Sequence, residues 1–279
     1  MKLYIRAHDL GVQGEKAIAD RLTELGLDGV QLVAYKAVPD VAYQPGAITE
    51  RRADEIHAAL SAQGKEVALI GAYFNPVHSD RQKAARCKAV FEDYLAVAHR
   101  LGCDIVGSET GSYNDDKWTY HPMNRTDEAL AQVVETFGDL AKTAARHGAW
   151  IGMEGAYGHV CYDVDRLDEA IHTIGAENIK VIFDLYNYLA MENVDQRYDI
   201  LEHGLKTFAG RICVFHIKDC VITDGALKQV GVGQGIFDYE KILGLIDRYQ
   251  PEAKLVLEGT TGADIEPAIS HIKGILNQA

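Results

Sequence analysis

Short apolar runs alternate along the whole chain with longer stretches whose apolar residues recur every three or four positions. LYIRAH reads as a first strand, and GEKAIADRLTELG follows with helical spacing and stops at Gly26. The pair of patterns then repeats. GVQLVAYKA precedes a helix from about Thr49 to Gly64, and EVALIGAYFNP precedes one from Asp80 to Gly102. DIVGSETG leads through an extended polar loop, containing Trp118 and His121, into a helix from about Thr126 to His147. AWIGMEGAYGH is followed by a helix opening near Asp163, and NIKVIFDLYNYL by one from roughly Val194 to Ala209. GRICVFHIKD is followed by a loop and a helix starting at Asp238, and AKLVLEGTTG by a last helix from about Ala263. Eight strand–helix units, with no linker or low-complexity segment between them, predict an α/β chain. Residues 1–279 then form a single (β/α)₈ TIM barrel, with a doubly wound open sheet as the alternative.

Composition narrows the function classes. The formal net charge of −13 argues against a nucleic-acid backbone as partner, since phosphate neutralisation needs clustered Lys and Arg. The five cysteines are scattered, odd in number and without a CxxC pair, which predicts reduced thiols and a cytoplasmic protein. The opening MKLYIRAHDLG lacks a signal-type apolar core, and no apolar stretch approaches membrane-spanning length, so no membrane partner is expected.

Four residues change the picture. Glu154, Asp184, His216 and Glu258 close the β-branched runs WIGME, IKVIFD, RICVFH and AKLVLE. An ionisable side chain closing a buried strand is costly unless something there uses it. The four are spaced 30, 32 and 42 residues apart, which fits successive strand–helix units, the last with an enlarged loop. In a barrel they share the C-terminal end of neighbouring strands, where active sites of this fold lie. Three carboxylates and one imidazole suit a single divalent cation, Mn²⁺ or Mg²⁺ first, with Co²⁺ and Zn²⁺ as further choices. Glu154 and Glu258 would flank the ion and act as an acid/base pair, moving a proton next to a carbonyl while the ion stabilises the enediolate. For each residue alone, a helix cap, an ion pair or a hydrogen-bonded core histidine is the plainer explanation.

Further candidates follow other strands. His8, Asn75, Glu109, Asn187 and Lys218 are expected to contact substrate, with Arg6 beside His8. Lys218 could instead pair with Asp219, and Glu109 could serve a loop salt bridge. Trp118 and His121 could cover the site as a lid. GVGQG at 231–235 lacks the GK[ST] of a phosphate loop and reads as a turn, with a sugar phosphate as the alternative occupant.

GMEG, FDLYN, FHIKD, GVGQGIFDY and LEG, in this order, resemble the xylose isomerase-like TIM-barrel superfamily, which includes the AP endonuclease 2-type barrels. The resemblance spans essentially the whole chain. It implies that Glu154, Asp184, His216 and Glu258 are the metal ligands, and that the two glutamates are the acid/base pair. It further implies isomerisation or epimerisation of a sugar, sugar phosphate or cyclitol. A metal-dependent lyase or dehydratase acting on an inosose or keto-sugar is the alternative. A non-catalytic sugar-binding barrel and an abasic-site endonuclease rank lower. A homo-oligomer is a separate expectation for the chain. Asn187 stands where many members carry a substrate-contacting histidine, and CVITDGALKQVGVG lacks the histidines of the endonuclease group.

Overall fold

The computed structural model describes residues 1–277. Its strands are β1 (Lys2–Arg6), β2 (Gly29–Leu32), β3 (Glu66–Gly71), β4 (Ile105–Glu109) and β5 (Trp150–Glu154). They continue with β6 (Ile179–Asp184), β7 (Ile212–Ile217), β8 (Asp219–Thr223), β9 (Ala226–Val230) and β10 (Lys254–Leu257). β1 to β7 and β10 form a closed parallel barrel, with β1 paired to β10, and helices run between successive barrel strands. This is the (β/α)₈ TIM barrel that the alternation predicts. Among the described residues no helix is long and apolar enough to cross a membrane.

Helix starts follow from local chemistry. Thr49, Asp80, Thr126, Asp163 and Asp238 each accept a backbone N–H three residues ahead, satisfying a donor that the first turn leaves unpaired. These are the positions at which the hydrophobic period changes in the sequence.

The barrel interior explains why polar groups collect at one end. Tyr4, Leu69, Ile182, Val214 and Val256 pack together inside it, fully buried. Side chains alternate faces along a strand. The next inward positions of β1, β6 and β7, and the residue just past β10, are therefore Arg6, Asp184, His216 and Glu258. Gly107 and Gly152 occupy the apolar layer of β4 and β5, where an added Cβ would come within 2.4 and 3.1 Å of Ile182 Cδ1. Two residues further, the same face carries Glu109 and Glu154.

Helix packing against the barrel has one tight point. Gly204, in the helix Arg197–Thr207, would place a Cβ 2.1 Å from Phe183 Cε2. Alanine gains roughly 0.8–1 kcal/mol of helix propensity over glycine, whereas overpacking a core costs roughly 1–3 kcal/mol. The clash wins, and Gly204→Ala is expected to lower the chemical-denaturation midpoint.

Two expectations need correction. GVQLVAYKA is not one strand: β2 ends at Leu32, and Ala34–Ala37 forms a helical turn with Ala34 and Ala37 buried. Leu32 pairs with Ile70 at the barrel rim, and the described pairing of β2 with β3 ends there, so nothing keeps the chain extended. The segment after β7 is not a plain loop, because β8 and β9 form an antiparallel hairpin with Thr223 opposite Ala226. The connecting Asp224 and Gly225 both have positive φ, 53° and 71°, as a two-residue hairpin turn requires. Gln229 Nε2 donates to the Glu258 carbonyl at 2.8 Å and ties this hairpin to the end of β10.

Candidate active site

Strand register brings the four candidate ligands together. Asp184 is the direct partner of His216 across β6 and β7, and Glu109 is the partner of Glu154 across β4 and β5. Glu258 leaves β10 beside β7, its N–H donating to the Ile217 carbonyl at 3.2 Å. One ligand atom from each of Glu154, Asp184, His216 and Glu258 lies within 4.8 Å of every other. His216 Nδ1 is the hub, at 3.2 Å from Glu154 Oε1, 3.6 Å from Asp184 Oδ2 and 2.6 Å from Glu258 Oε2. The first three residues are buried, and Glu258 is half-buried at the barrel mouth.

Cations of the protein itself surround this charge. Lys218 Nζ lies 2.9 Å from Asp184 Oδ2, 3.2 Å from Glu258 Oε1 and 3.0 Å from Asn187 Oδ1. Arg6 Nη1 donates to Glu258 Oε1 at 2.7 Å, and its Nε donates to Asp9 at 2.8 Å. Asn187 Nδ2 donates to Glu154 Oε1 at 2.8 Å, so Asn187 orients one carboxylate and receives the lysine. Buried Asp184 Oδ2 and Glu258 Oε2 accept no aligned hydrogen bond despite these neighbours. Orphan carboxylate acceptors converging on one imidazole nitrogen are what a site built for an added cation presents, and Lys218 holds that place by its charge. The donor set fits a divalent ion.

The same field splits the two glutamates. Burial pushes the Glu154 carboxyl up to about 7, against the opposing pull of His216. Burial acts on Glu258 in the same direction, but His216 and Lys218 outweigh it and hold its carboxyl well below the usual range. For His216, burial opposes the charge, yet Glu258 and Glu154 raise the imidazole well above its ordinary value. Pairs of titratable groups driven apart in this way are typical of acid/base sites.

The other sequence candidates divide. Glu109 and Asn187 line a cavity of about 470 Å³ at the mouth together with Trp118, Tyr157, Tyr186 and Leu227. Trp118 also borders a neighbouring 280 Å³ cavity lined by Tyr73 and Asn75. A 640 Å³ depression lined by Met1, Leu3 and Asp28 sits at the opposite end of the barrel, away from the carboxylates. His8 stands beside Arg6 and Asp9, its Nδ1 unpartnered, and burial followed by the Arg6 charge lowers its imidazole to about 4. Asn75 spends its side chain on the fourth loop, donating to the carbonyls of Ser112 and Asp115 and accepting from the N–H groups of Val77 and Ser112. His121 accepts from the Met123 N–H and stacks on Tyr113, which makes it a local cap.

Lys218 and Asp219 do not pair with each other. Asp219 accepts the N–H groups of Cys220, Gly233, Gly235 and Phe237, at 2.8 to 3.2 Å. The GVGQG loop thus wraps an internal carboxylate, and a Cβ on Gly235 would come within 2.2 Å of Asp219 Oδ1. Those amides serve the fold and not a phosphate. Two residues of the site escaped the sequence reading. Gln31, buried on β2, meets His216 Nε2 with its Oε1 at 2.7 Å, and its Nε2 donates to the Tyr73 hydroxyl at 2.7 Å. The available signal was one amide inside the otherwise apolar run GVQLVAY.

A family model described as the xylose isomerase-like TIM barrel matches residues 19–275. Among solved structures, a xylose isomerase-like TIM barrel protein from Mycobacterium smegmatis in complex with magnesium is 16% identical, with 100% and 96% of the two chains covered and a TM-score of 0.71. The 3-keto-D-glucoside 4-epimerase of E. coli is 15% identical, with 99% of each chain covered and a TM-score of 0.74. A probable 3-DHS dehydratase from Bacillus anthracis is also 15% identical, with 99% of each chain covered and a TM-score of 0.74. At these identities the likeness is one of fold. No curated protein matches the chain.

Proposed function

Because the chain belongs to the xylose isomerase-like TIM-barrel family, we propose that it is a divalent-metal-dependent isomerase or epimerase of a sugar, sugar phosphate or cyclitol. The observation that carries this reading is the convergence of Glu154, Asp184, His216 and Glu258 within 4.8 Å. Magnesium in one structural neighbour and epimerisation in another support it. These four residues would hold the ion, Mn²⁺ or Mg²⁺ by its oxygen-rich donor set, and Co²⁺ or Zn²⁺ as further fits. When bound, the ion supplies Lewis-acid polarisation of a carbonyl oxygen and charge stabilisation.

The remaining work falls to the protein's own groups. Glu258, held ionised by His216, Lys218 and Arg6, removes a proton from the carbon next to the carbonyl. Glu154 reaches in from the opposite flank, with β6 and β7 between the two strand ends, and returns a proton to the other face or the adjoining carbon. Asn187 keeps Glu154 aimed, and Lys218 and Arg6 place positive charge where an oxyanion develops. Glu109, Trp118 and Tyr186 line the chamber that receives the rest of the substrate. The substrate is a small molecule and not a nucleic acid, which the net charge of −13 disfavours.

One observation favours a second reading, a lyase or dehydratase of an inosose or keto-sugar. The Lys218 ammonium, seated between Asp184 and Glu258, is the donor that departure of a β-oxygen would need. Incubating Mn²⁺-loaded protein with keto-sugars in D₂O separates the two. Deuterium at the carbon next to the carbonyl with an intact skeleton is the expected result. Loss of water instead assigns the lyase, and binding without exchange leaves a sugar-binding barrel.

A further inference from the structure

Tyr73 lies just past β3, two residues beyond Gly71. A Cβ on Gly71 would stand 2.7 Å from Tyr73 Cε2, so the ring lies back over the glycine with its hydroxyl turned to Gln31. The resulting chain runs from His216 Nε2 to Gln31 Oε1, and from Gln31 Nε2 to the Tyr73 hydroxyl, 2.7 Å at each step. Its polarity is determined from the histidine end. Nδ1 faces the three carboxylates and needs its lone pair for a cation, which puts the ring proton on Nε2. Gln31 must then accept through its carbonyl oxygen, and only its amide N–H remains for Tyr73. Tyr73 accepts that bond. Its own O–H donates to no protein acceptor among the described residues, although a phenol at a buried site ordinarily finds one.

We infer that Tyr73 donates this hydrogen bond to the substrate oxygen that gains negative charge, with Gln31 as the positioning residue that orders both Tyr73 and His216. The inference rests on the proposed metal-assisted proton transfer. The charges of Glu154, Glu258 and Glu109 all act on the Tyr73 phenol, which puts it at the same barrel mouth, and an enediolate-like oxyanion is the ligand chemistry that such a lone donor recognises. It assigns a chemical purpose to Gly71 as well, because any larger residue would push the phenol off Gln31.

The test is calorimetric titration of the full chain, first with Mn²⁺ and then, on Mn²⁺-loaded protein, with glycolohydroxamate as a stable enediolate mimic. Tyr73→Phe is expected to weaken glycolohydroxamate about tenfold, while Mn²⁺ affinity stays at its wild-type value and the thermal midpoint falls, because the buried Gln31 Nε2 loses its acceptor. Gln31→Met is expected to weaken Mn²⁺ roughly 10–100-fold, and Gln31→Glu, which keeps the acceptor, to restore it. Wild-type glycolohydroxamate affinity in Tyr73→Phe overturns the role of Tyr73. Wild-type Mn²⁺ affinity in Gln31→Met overturns that of Gln31. Wild-type protein that binds neither probe instead overturns the metal-assisted reading on which the inference stands.

Discussion

Glu154→Gln is expected to slow solvent-deuterium exchange into the keto-sugar by roughly 10²–10⁴-fold, the range general acid/base groups contribute. The amide keeps the shape of the carboxylate and can still accept from Asn187 Nδ2, now 2.8 Å from Glu154 Oε1. The fold should therefore survive, and circular dichroism should overlay on wild type. Glu258→Gln should lose as much activity and some stability too. Glu258 neutralises Arg6 at 2.7 Å and Lys218 at 3.2 Å. Removing one partner from a buried ion pair costs roughly 3–5 kcal/mol, and less here because the amide still accepts a hydrogen bond. Unchanged exchange in either variant would remove that glutamate from the proton path.

Removing divalent ions with a chelator should abolish exchange, and adding Mn²⁺ back should restore it and raise the melting temperature. At a hundredfold excess over Kd the gain is about 2.7 kcal/mol, which for a chain of this size corresponds to about 5 °C. The gain should grow with pH. In the protein without the ion, His216 is held well above its ordinary pKa and Glu154 is pushed up to about 7. Both groups bind protons more tightly folded than unfolded, so their contribution to stability is full at low pH and is lost as pH rises through the folded values. A cation needs those protons gone, so it competes with them and binds better as they leave. Thermal shifts compared between about pH 6 and about pH 8 check the sign. A larger shift at the lower pH would contradict ligation by His216 and Glu154.

The parts legible in the sequence were those written in local periodicity. The helix starts at Thr49, Asp80, Thr126, Asp163 and Asp238 are capping residues, and caps act within three positions of themselves. The four converging residues were legible because parallel strands line up their ends, so a strand-terminal position in sequence is a mouth position in space. Gln31 and Tyr73 were not, since their partners lie 185 and 42 residues from Gln31. Asn75 read as a pocket group because it follows a strand; it lines the 280 Å³ cavity, and its hydrogen bonds to Ser112 and Asp115 also hold a loop far along the chain, which the sequence did not show. The hairpin at Asp224–Gly225 did leave a local trace, a D-G pair between strand-forming runs, which the longer strand–helix rhythm masked.

Anomalous diffraction from crystals grown with Mn²⁺ tests the central claim most directly. One peak enclosed by Glu154, Asp184, His216 and Glu258, with Lys218 moved off Asp184, is the expected result. A peak elsewhere, or none with Lys218 still seated between Asp184 and Glu258, would contradict it.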